Sequence, residues 1–264
     1  MLRGFDWEVP VEFSLQENGG SFCASALTKG LHKGPKIVFM IRTRKLSYCY
    51  PHSSPLVFAD VDLPQGAALL LHGNSGSGKS TWLALAAGLL SASGGDITVA
   101  DQNLNALKGA ARDAWRARNL GFLPQKLHLS AALTVEGNLG LAYFAAGLAR
   151  DEVAIAHALH ALGVGDLAQR RPSQLSGGQA QRVALARAVL LKPRVILADE
   201  PTASLDDEAA QSALQLLLDS ARLCDATLVI ATHDARVQVA MPQALTLRLV
   251  QSSDSPATTE EVAA

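Results

Sequence analysis

The segment Gly73-Asn74-Ser75-Gly76-Ser77-Gly78-Lys79-Ser80-Thr81 constrains this chain more than any other feature. It fits G-x-x-x-x-G-K-[ST] throughout and has the setting that gives the pattern meaning, after the apolar run Leu69-Leu70-Leu71 and before a helical pattern from Lys79 to about Leu90. Glycines let successive backbone N–H groups curl round an anion without a Cβ clash. The helix start adds its partial positive charge. In such a loop Lys79 reaches the β- and γ-phosphates of a nucleoside triphosphate, and the Ser80 hydroxyl ligates Mg2+. A flexible glycine linker is the alternative reading, and the strand–loop–helix setting argues against it.

Continuous apolar segments alternate with helical patterns along the chain, which predicts an α/β fold with a largely parallel sheet. Val195–Ala198 and Thr227–Ala231 read as buried strands. Leu56–Leu63 and Ala67–Leu71 read as strands on either side of the turn Pro64-Gln65-Gly66, and Ile97–Val99 as a strand after the turn Ser93-Gly94-Gly95-Asp96. From about Lys126 to Leu191 the chain is rich in Ala and Leu and reads as helical. Asp151 caps a helix through Leu162 that stops at Gly163, and a second helix runs from near Gly178 to Leu191 and stops at Pro193.

The ends read differently. Residues 1–39 have no sustained period and close on the Gly/Lys-rich stretch Lys29–Pro35. The expectation is that Met40 is the physiological start and that 1–39 are a start-site artefact or a loose extension, with a native N-terminal strand docked on the core as the alternative. Asp6, Glu8, Glu12 and Glu17 break the basic-then-apolar order of a secretory signal. Residues from about Ser252 are Ser/Thr/Glu/Ala-rich and read as a frayed tail. The expected division is therefore 1–39, a domain over 40–251 with its helical part at about 126–191, and a tail over 252–264.

Composition narrows the function classes. Lys+Arg 23 against Asp+Glu 24 leaves a formal net charge of -1, so no basic footprint argues for nucleic acid. The run Trp82–Leu90 falls short of the ~20 apolar residues that span a bilayer, and Glu136 and Asn138 interrupt Ala131–Ala149. Cys23, Cys49 and Cys224 are too widely spaced for a zinc pattern or a disulfide framework, which fits a reducing compartment.

Asp199-Glu200 closes the predicted strand Val195–Ala198. In a parallel sheet the carboxyl ends of the strands face the ligand crevice, so both acids are expected to point at the phosphates. Asp199 would hold Mg2+ through water, and Glu200 would serve as general base or positioner for the attacking water. Leu175-Ser176-Gly177-Gly178-Gln179 is, by physics alone, a glycine turn before a helix with Ser176 as its N-cap.

Together with the phosphate loop, however, this last string resembles the signature of the ABC ATPases, and the likeness runs on through Gln181-Arg182-Val183-Ala184-Leu185-Ala186-Arg187-Ala188. From Met40 to about Leu249 the chain resembles an ABC transporter ATP-binding subunit. The strings Arg171–Leu175 and Leu197–Thr202 are similar to the lipoprotein-releasing, macrolide-exporter and cell-division branch. The resemblance implies a P-loop NTPase with a mostly parallel core sheet, an antiparallel N-terminal β-subdomain and a helical subdomain. It also implies roles for single residues: Gln125 touching Mg2+ and the water, Ser204-Leu205-Asp206 crossing between two subunits, and His233 as the switch at the γ-phosphate. Tyr50 would stack on adenine, with Tyr48 as the fallback.

The same resemblance implies two copies packed head to tail around two ATP, the segment Ser176-Gly177-Gly178-Gln179 of one closing on the γ-phosphate held by the other. The partner would be a separate integral membrane permease, with the chain cytoplasmic on the inner face of the membrane and no nucleic acid involved. Rival readings are an ATP-driven regulator that moves no solute, and a soluble ATPase acting on DNA or ribosomes. Three positions depart from the family pattern: Ala180 in the signature helix, Gly137-Asn138 for an acid–Asn pair, and Ser130-Ala131 for a proline. The last two are expected near the surface that meets the membrane subunit. His157 and His160, without an acid or thiol beside them, read as a solvated helix face.

Overall fold

The computed structural model describes residues 38–203 and 205–249. The expectations for 1–37, for Ser204 and for the tail lie outside the described residues. In chain order, β1 (Phe39–Tyr48), β2 (Leu56–Val57) and β3 (Val61–Pro64) lead into β4 (Ala68–His72) and α1 (Lys79–Ala86). Then come β5 (Gly94–Val99), β6 (Gln102–Asn103), α2 (Gly109–Asn119) and β7 (Leu120–Leu123). The helices α3 (Val135–Ala146), α4 (Glu152–Ala161) and α5 (Gly177–Val189) follow as a block. The chain closes with β8 (Val195–Asp199), α6 (Asp207–Leu223), β9 (Thr227–Thr232), α7 (Ala235–Ala240) and β10 (Leu245–Arg248).

Two sheets result. One is wholly parallel, in the order β10-β4-β9-β8-β7; in the antiparallel sheet β1 pairs with β2, β3 and β5, and β5 with β6. Every residue of β8 and β9 is buried, as unbroken apolar strands covered on both faces must be. Alternation along the strands divides two cores. Leu70, Ile196, Ala198, Leu228 and Ile230 face α3, α4, α5 and α6, whereas Leu69, Leu71, Val195, Leu197, Val229 and Ala231 face α1 and the antiparallel sheet.

Local departures from the sequence reading have physical causes. The run Leu56–Leu63 splits into β2 and β3 because Lys45, opposite it, sits at φ 49 and gives its N–H to the Asp60 carboxylate instead of the ladder. Gly94 to Asp96, expected as a turn, belongs to β5 and pairs with β1 through the same bulge, where Gly95 takes φ +75. The helix expected to reach Leu90 stops at Ala86, since Gly88 is left-handed and the N–H groups of Leu89 and Leu90 both turn back to the Ala84 carbonyl. Asp151 caps α4 through the Ala154 N–H and Gly163 lies at φ +67 just beyond it, as expected. By contrast, α5 runs from Gly177 to Val189, two residues short of Leu191, and 126–134, expected as helical, hold no helix.

The helical block rests on the sheet where α5 crosses β7, and Gly121 permits the approach. A Cβ at Gly121 would fall on the Ala188 carbonyl oxygen, with Pro193 Cγ at 3.0 Å. Gly121→Ala is therefore expected to destabilise the fold by about 1–3 kcal/mol through overpacking. Urea unfolding measures it, and an unchanged midpoint would show that α5 yields freely.

Candidate active site

The loop between β4 and α1 is wound tightly on itself. A Cβ at Gly73 would strike Ser77 Oγ and the Leu249 carbonyl beyond β10, so this glycine is required by close approach. Ser77 N–H closes a turn on the Asn74 carbonyl at 3.2 Å, and Gly76 and Gly78 take φ +80 and +95. Gly78 precedes α1 without a side-chain cap, and no acid lies in the first turn of that helix. The positive end of α1 is thus left to whatever anion the loop holds. Lys79 is buried and donates from Nζ to the Gly73 carbonyl at 2.7 Å and the Asn74 carbonyl at 3.2 Å. Asn74, Ser75, Gly76 and Ser80 are exposed, while Ser77 and Thr81 are buried.

The parallel register brings the acids and the histidine to this loop. His72 pairs with Thr232 and Asp199 with Ala231, so β4, β8 and β9 end at one level. Glu200 follows at φ 48, a left-handed position costly for a non-glycine residue, and is held there by its N–H on the Ala231 carbonyl at 2.8 Å. Its Oε1 lies 2.8 Å from His233 Nδ1 and 3.7 Å from Lys79 Nζ, and its Oε2 accepts the Thr232 hydroxyl at 3.0 Å. Burial pushes the Asp199 carboxyl up from its ordinary range, as does the Glu200 charge, while the Ser80 hydroxyl and Lys79 pull it down. Asp199 Oδ1 is buried with no hydrogen-bond partner.

Tyr50, Ser176, Gln179 and Asp206 hydrogen-bond to partners other than Lys79, Asp199, Glu200 and His233. Gln125 is exposed, two residues past Leu123, which pairs with Ala198. Ser176 caps α5 in a closed box, its hydroxyl accepting the Gln179 N–H at 3.3 Å and its N–H reaching Gln179 Oε1 at 2.9 Å. Ser176, Gly177 and Gly178 are exposed, and α5 packs on β7, α3, α4 and α6. Asp206 is exposed and caps α6 through the Ala209 N–H at 2.8 Å. Tyr50 is half-exposed, its hydroxyl 3.0 Å from Thr81 Oγ1 and its ring edge-on to Tyr48 at 4.7 Å, so the two aromatic candidates form one unit. His157 and His160 are exposed on α4.

Of the departures at 130–131 and 137–138, Ala131 is exposed whereas the Asn138 side chain is fully buried. Its amide oxygen accepts the Ser130 N–H at 2.7 Å, and its NH2 donates to the Ser130 and Thr134 carbonyls at 3.1 and 2.9 Å. The two departures at 130 and 138 are therefore one linked feature that fixes the loop after Gln125.

Several residues at the site escaped the sequence reading. Thr232, Asp234, Arg236 and Thr202 form a polar chain beside Glu200: Thr202 Oγ1 donates to Asp234 Oδ2 at 2.7 Å, and Asp234 N–H donates to Thr232 Oγ1 at 3.0 Å. The Arg236 guanidinium holds the Asp234 carboxyl well below the usual carboxylate range, with burial opposing it. Arg236 also bonds Asp207 at 2.6 Å. The one sequence signal was Asp234 as a cap ahead of a helix, which it is, accepting the Arg236 N–H.

A glycine loop and helix start at the carboxyl edge of a parallel sheet, with a buried lysine and acids from neighbouring strands, define a P-loop nucleoside triphosphatase. The sequence profile described as ABC transporter matches residues 58–203. A lipoprotein-releasing system ATP-binding protein LolD from Oleidesulfovibrio alaskensis is 36% identical over 216 residues, 80% of this chain and 94% of that one. LolD from Anaeromyxobacter dehalogenans is 43% identical over 186 residues, 69% of this chain and 78% of its own length. Among solved structures, a dimeric post-hydrolysis state of the ATP-binding cassette MJ0796 bound to ADP and Pi superposes with a TM-score of 0.71 at 28% identity, covering 80% of this chain and 97% of that one. The chain belongs to the ABC transporter family, as one of its ATP-binding, ATP-hydrolysing subunits.

Replacing Asn138 by Ala leaves the Ser130 N–H without its acceptor and the Ser130 and Thr134 carbonyls with one donor fewer, and is expected to cost about 1–3 kcal/mol. Urea unfolding reads this directly, and a loss of under about 0.5 kcal/mol would mean that water or a rearranged loop satisfies Ser130 equally well.

Proposed function

We propose that two copies of this chain enclose two ATP, each between the Gly73–Thr81 loop of one copy and the Ser176–Gln179 segment of the other, and thereby drive a separate integral membrane permease. The observation that carries this reading is the convergence of Lys79, Asp199, Glu200 and His233 on the loop, while Ser176 opens a helix whose exposed first turn bonds to none of them. An exposed helix start that makes no hydrogen bond to its own chain's Gly73–Thr81 loop fits service to the other copy's phosphates. The LolD relatives argue for a lipoprotein-releasing or efflux system, with the chain on the inner face of the cell membrane through its permease. No helix among the described residues is long and apolar enough to cross a membrane. Residues 40–251 would form this working unit, with 126–191 as its helical part.

Within the site, the backbone N–H groups of residues 74–81 and the Lys79 ammonium take the phosphates, and Tyr50 offers its ring to adenine. Asp206 and Gln179 complete the closure from the second copy. The residues fit Mg2+, since the Ser80 hydroxyl and the Asp199 carboxylate are hard oxygen donors, Asp199 Oδ1 is buried without a partner, and Gln125 can add another oxygen. The ion, when bound, would neutralise charge on the β- and γ-phosphates. Lys79 now shares its charge with Glu200 at 3.7 Å. An arriving phosphate competes for that ammonium and leaves Glu200 free to take a proton from the attacking water. His233 spends Nδ1 on Glu200, so its Nε2 is the atom left for the γ-phosphate, and only the doubly protonated ring can donate to both.

Glu200→Gln is expected to lower steady-state ATP turnover roughly 10²–10⁴-fold and to accumulate an ATP-bound dimer in sedimentation; unchanged turnover refutes the base assignment. Lys79→Ala should abolish ATP binding in calorimetry, and retained affinity counts against the loop as phosphate site.

A further inference from the structure

We propose that Thr232 is a positioning residue for Glu200, setting the direction of the carboxylate that takes the proton. The proposal rests on the reading of Glu200 as general base. Thr232 is the last residue of β9 and is 1% exposed, so no bulk water competes for its hydroxyl. That oxygen already accepts the Asp234 N–H at 3.0 Å. A hydroxyl has one proton to give, and Glu200 Oε2 at 3.0 Å receives it.

Glu200 needs such a holder. Its backbone is in the left-handed region, and a glutamate side chain has three rotors to fix. Neighbouring residues of one strand end do both tasks: Ala231 accepts the Glu200 N–H and Thr232 donates to the carboxylate. With Oε2 tied, Oε1 is the oxygen directed at Lys79 and His233. The holder is itself held. Asp234, whose N–H fixes the Thr232 hydroxyl, is gripped by Thr202 and Arg236, and Arg236 continues to Asp207. The segment after Glu200 and the segment after β9 are thereby locked to each other around one carboxylate.

The test compares Thr232→Val, which keeps the shape and loses the donor, with Thr232→Ser, which keeps the donor. Thr232→Val should lower kcat for ATP hydrolysis by about 10- to 100-fold, as expected for one lost hydrogen bond to a charged group, with KM and calorimetric ATP affinity within about twofold. Thr232→Ser should stay within about threefold of the unmodified chain. A kcat for Thr232→Val within about twofold of the unmodified chain overturns the proposal, and so does a serine variant as slow as the valine one. Should Thr232→Val not fold, as judged by its melting curve, Thr232→Cys takes its place, because a thiol is a weak donor of similar size. Glu200→Gln runs alongside: if it turns over normally, the base assignment falls and takes this proposal with it. If it is dead while Thr232→Val is fully active, this proposal alone falls.

Discussion

The in-register parallel pairing of β4, β8 and β9 is the constraint on which the rest depends. Each strand brings one functional group to its carboxyl end: the phosphate loop, the acids Asp199 and Glu200, and the Thr232-His233-Asp234 turn. A parallel sheet needs both faces covered, and the alternating residues of these strands supply two cores, one under α1 and one under the helical block. A slip of one residue in β9 would exchange Val229 and Ala231 for Leu228 and Ile230 on each face, and would also carry His233 away from Glu200. Burial of the strands thus fixes the distances among groups that are themselves polar.

At the head of that sheet sit a buried lysine and a carboxylate, with the exposed His233 ring hydrogen-bonded to the carboxylate. Desolvation makes such an arrangement costly unless every polar atom is occupied, and here nearly all are. Lys79 satisfies two loop carbonyls, Glu200 is tied at both oxygens, and Asp234 is enclosed by donors. Asp199 Oδ1, Ser77 Oγ in the phosphate loop and His72 Nδ1 at the end of β4 are the exceptions. The proposed nucleotide and its cation would give Asp199 and Ser77 the partners they lack. The strain at Glu200 belongs to the same pattern, since a non-glycine residue at φ 48 persists only where its surroundings over-determine it.

Much of this was legible in the sequence. The Gly73–Thr81 loop, the buried strands Val195–Ala198 and Thr227–Ala231, and the caps Asp151 and Ser176 are local signals, each carried by a residue type whose physics requires that position. What escaped depends on contacts between distant segments. The bulge shared by Lys45 and Gly95 is invisible until β1 and β5 pair, and a run containing two glycines then reads as a turn. Asn138 carries no label of burial; only the fold places it against Ser130. Thr232 and Arg236 gain meaning from the chain that closes around Glu200, which no spacing encodes.

The central claim is that the site is shared, with the loop of one copy facing the Ser176 helix of the other. Cross-linking tests it most directly. Copies carrying Ser75→Cys and copies carrying Gly177→Cys, with Cys23, Cys49 and Cys224 replaced by serine, are mixed and oxidised with and without ATP. Both positions are exposed, and a side chain at Gly177 meets no atom within 4 Å. The account predicts a disulfide between unlike copies that forms when ATP is present. A failure of unlike copies to link with ATP, or an equal yield without it, would contradict it.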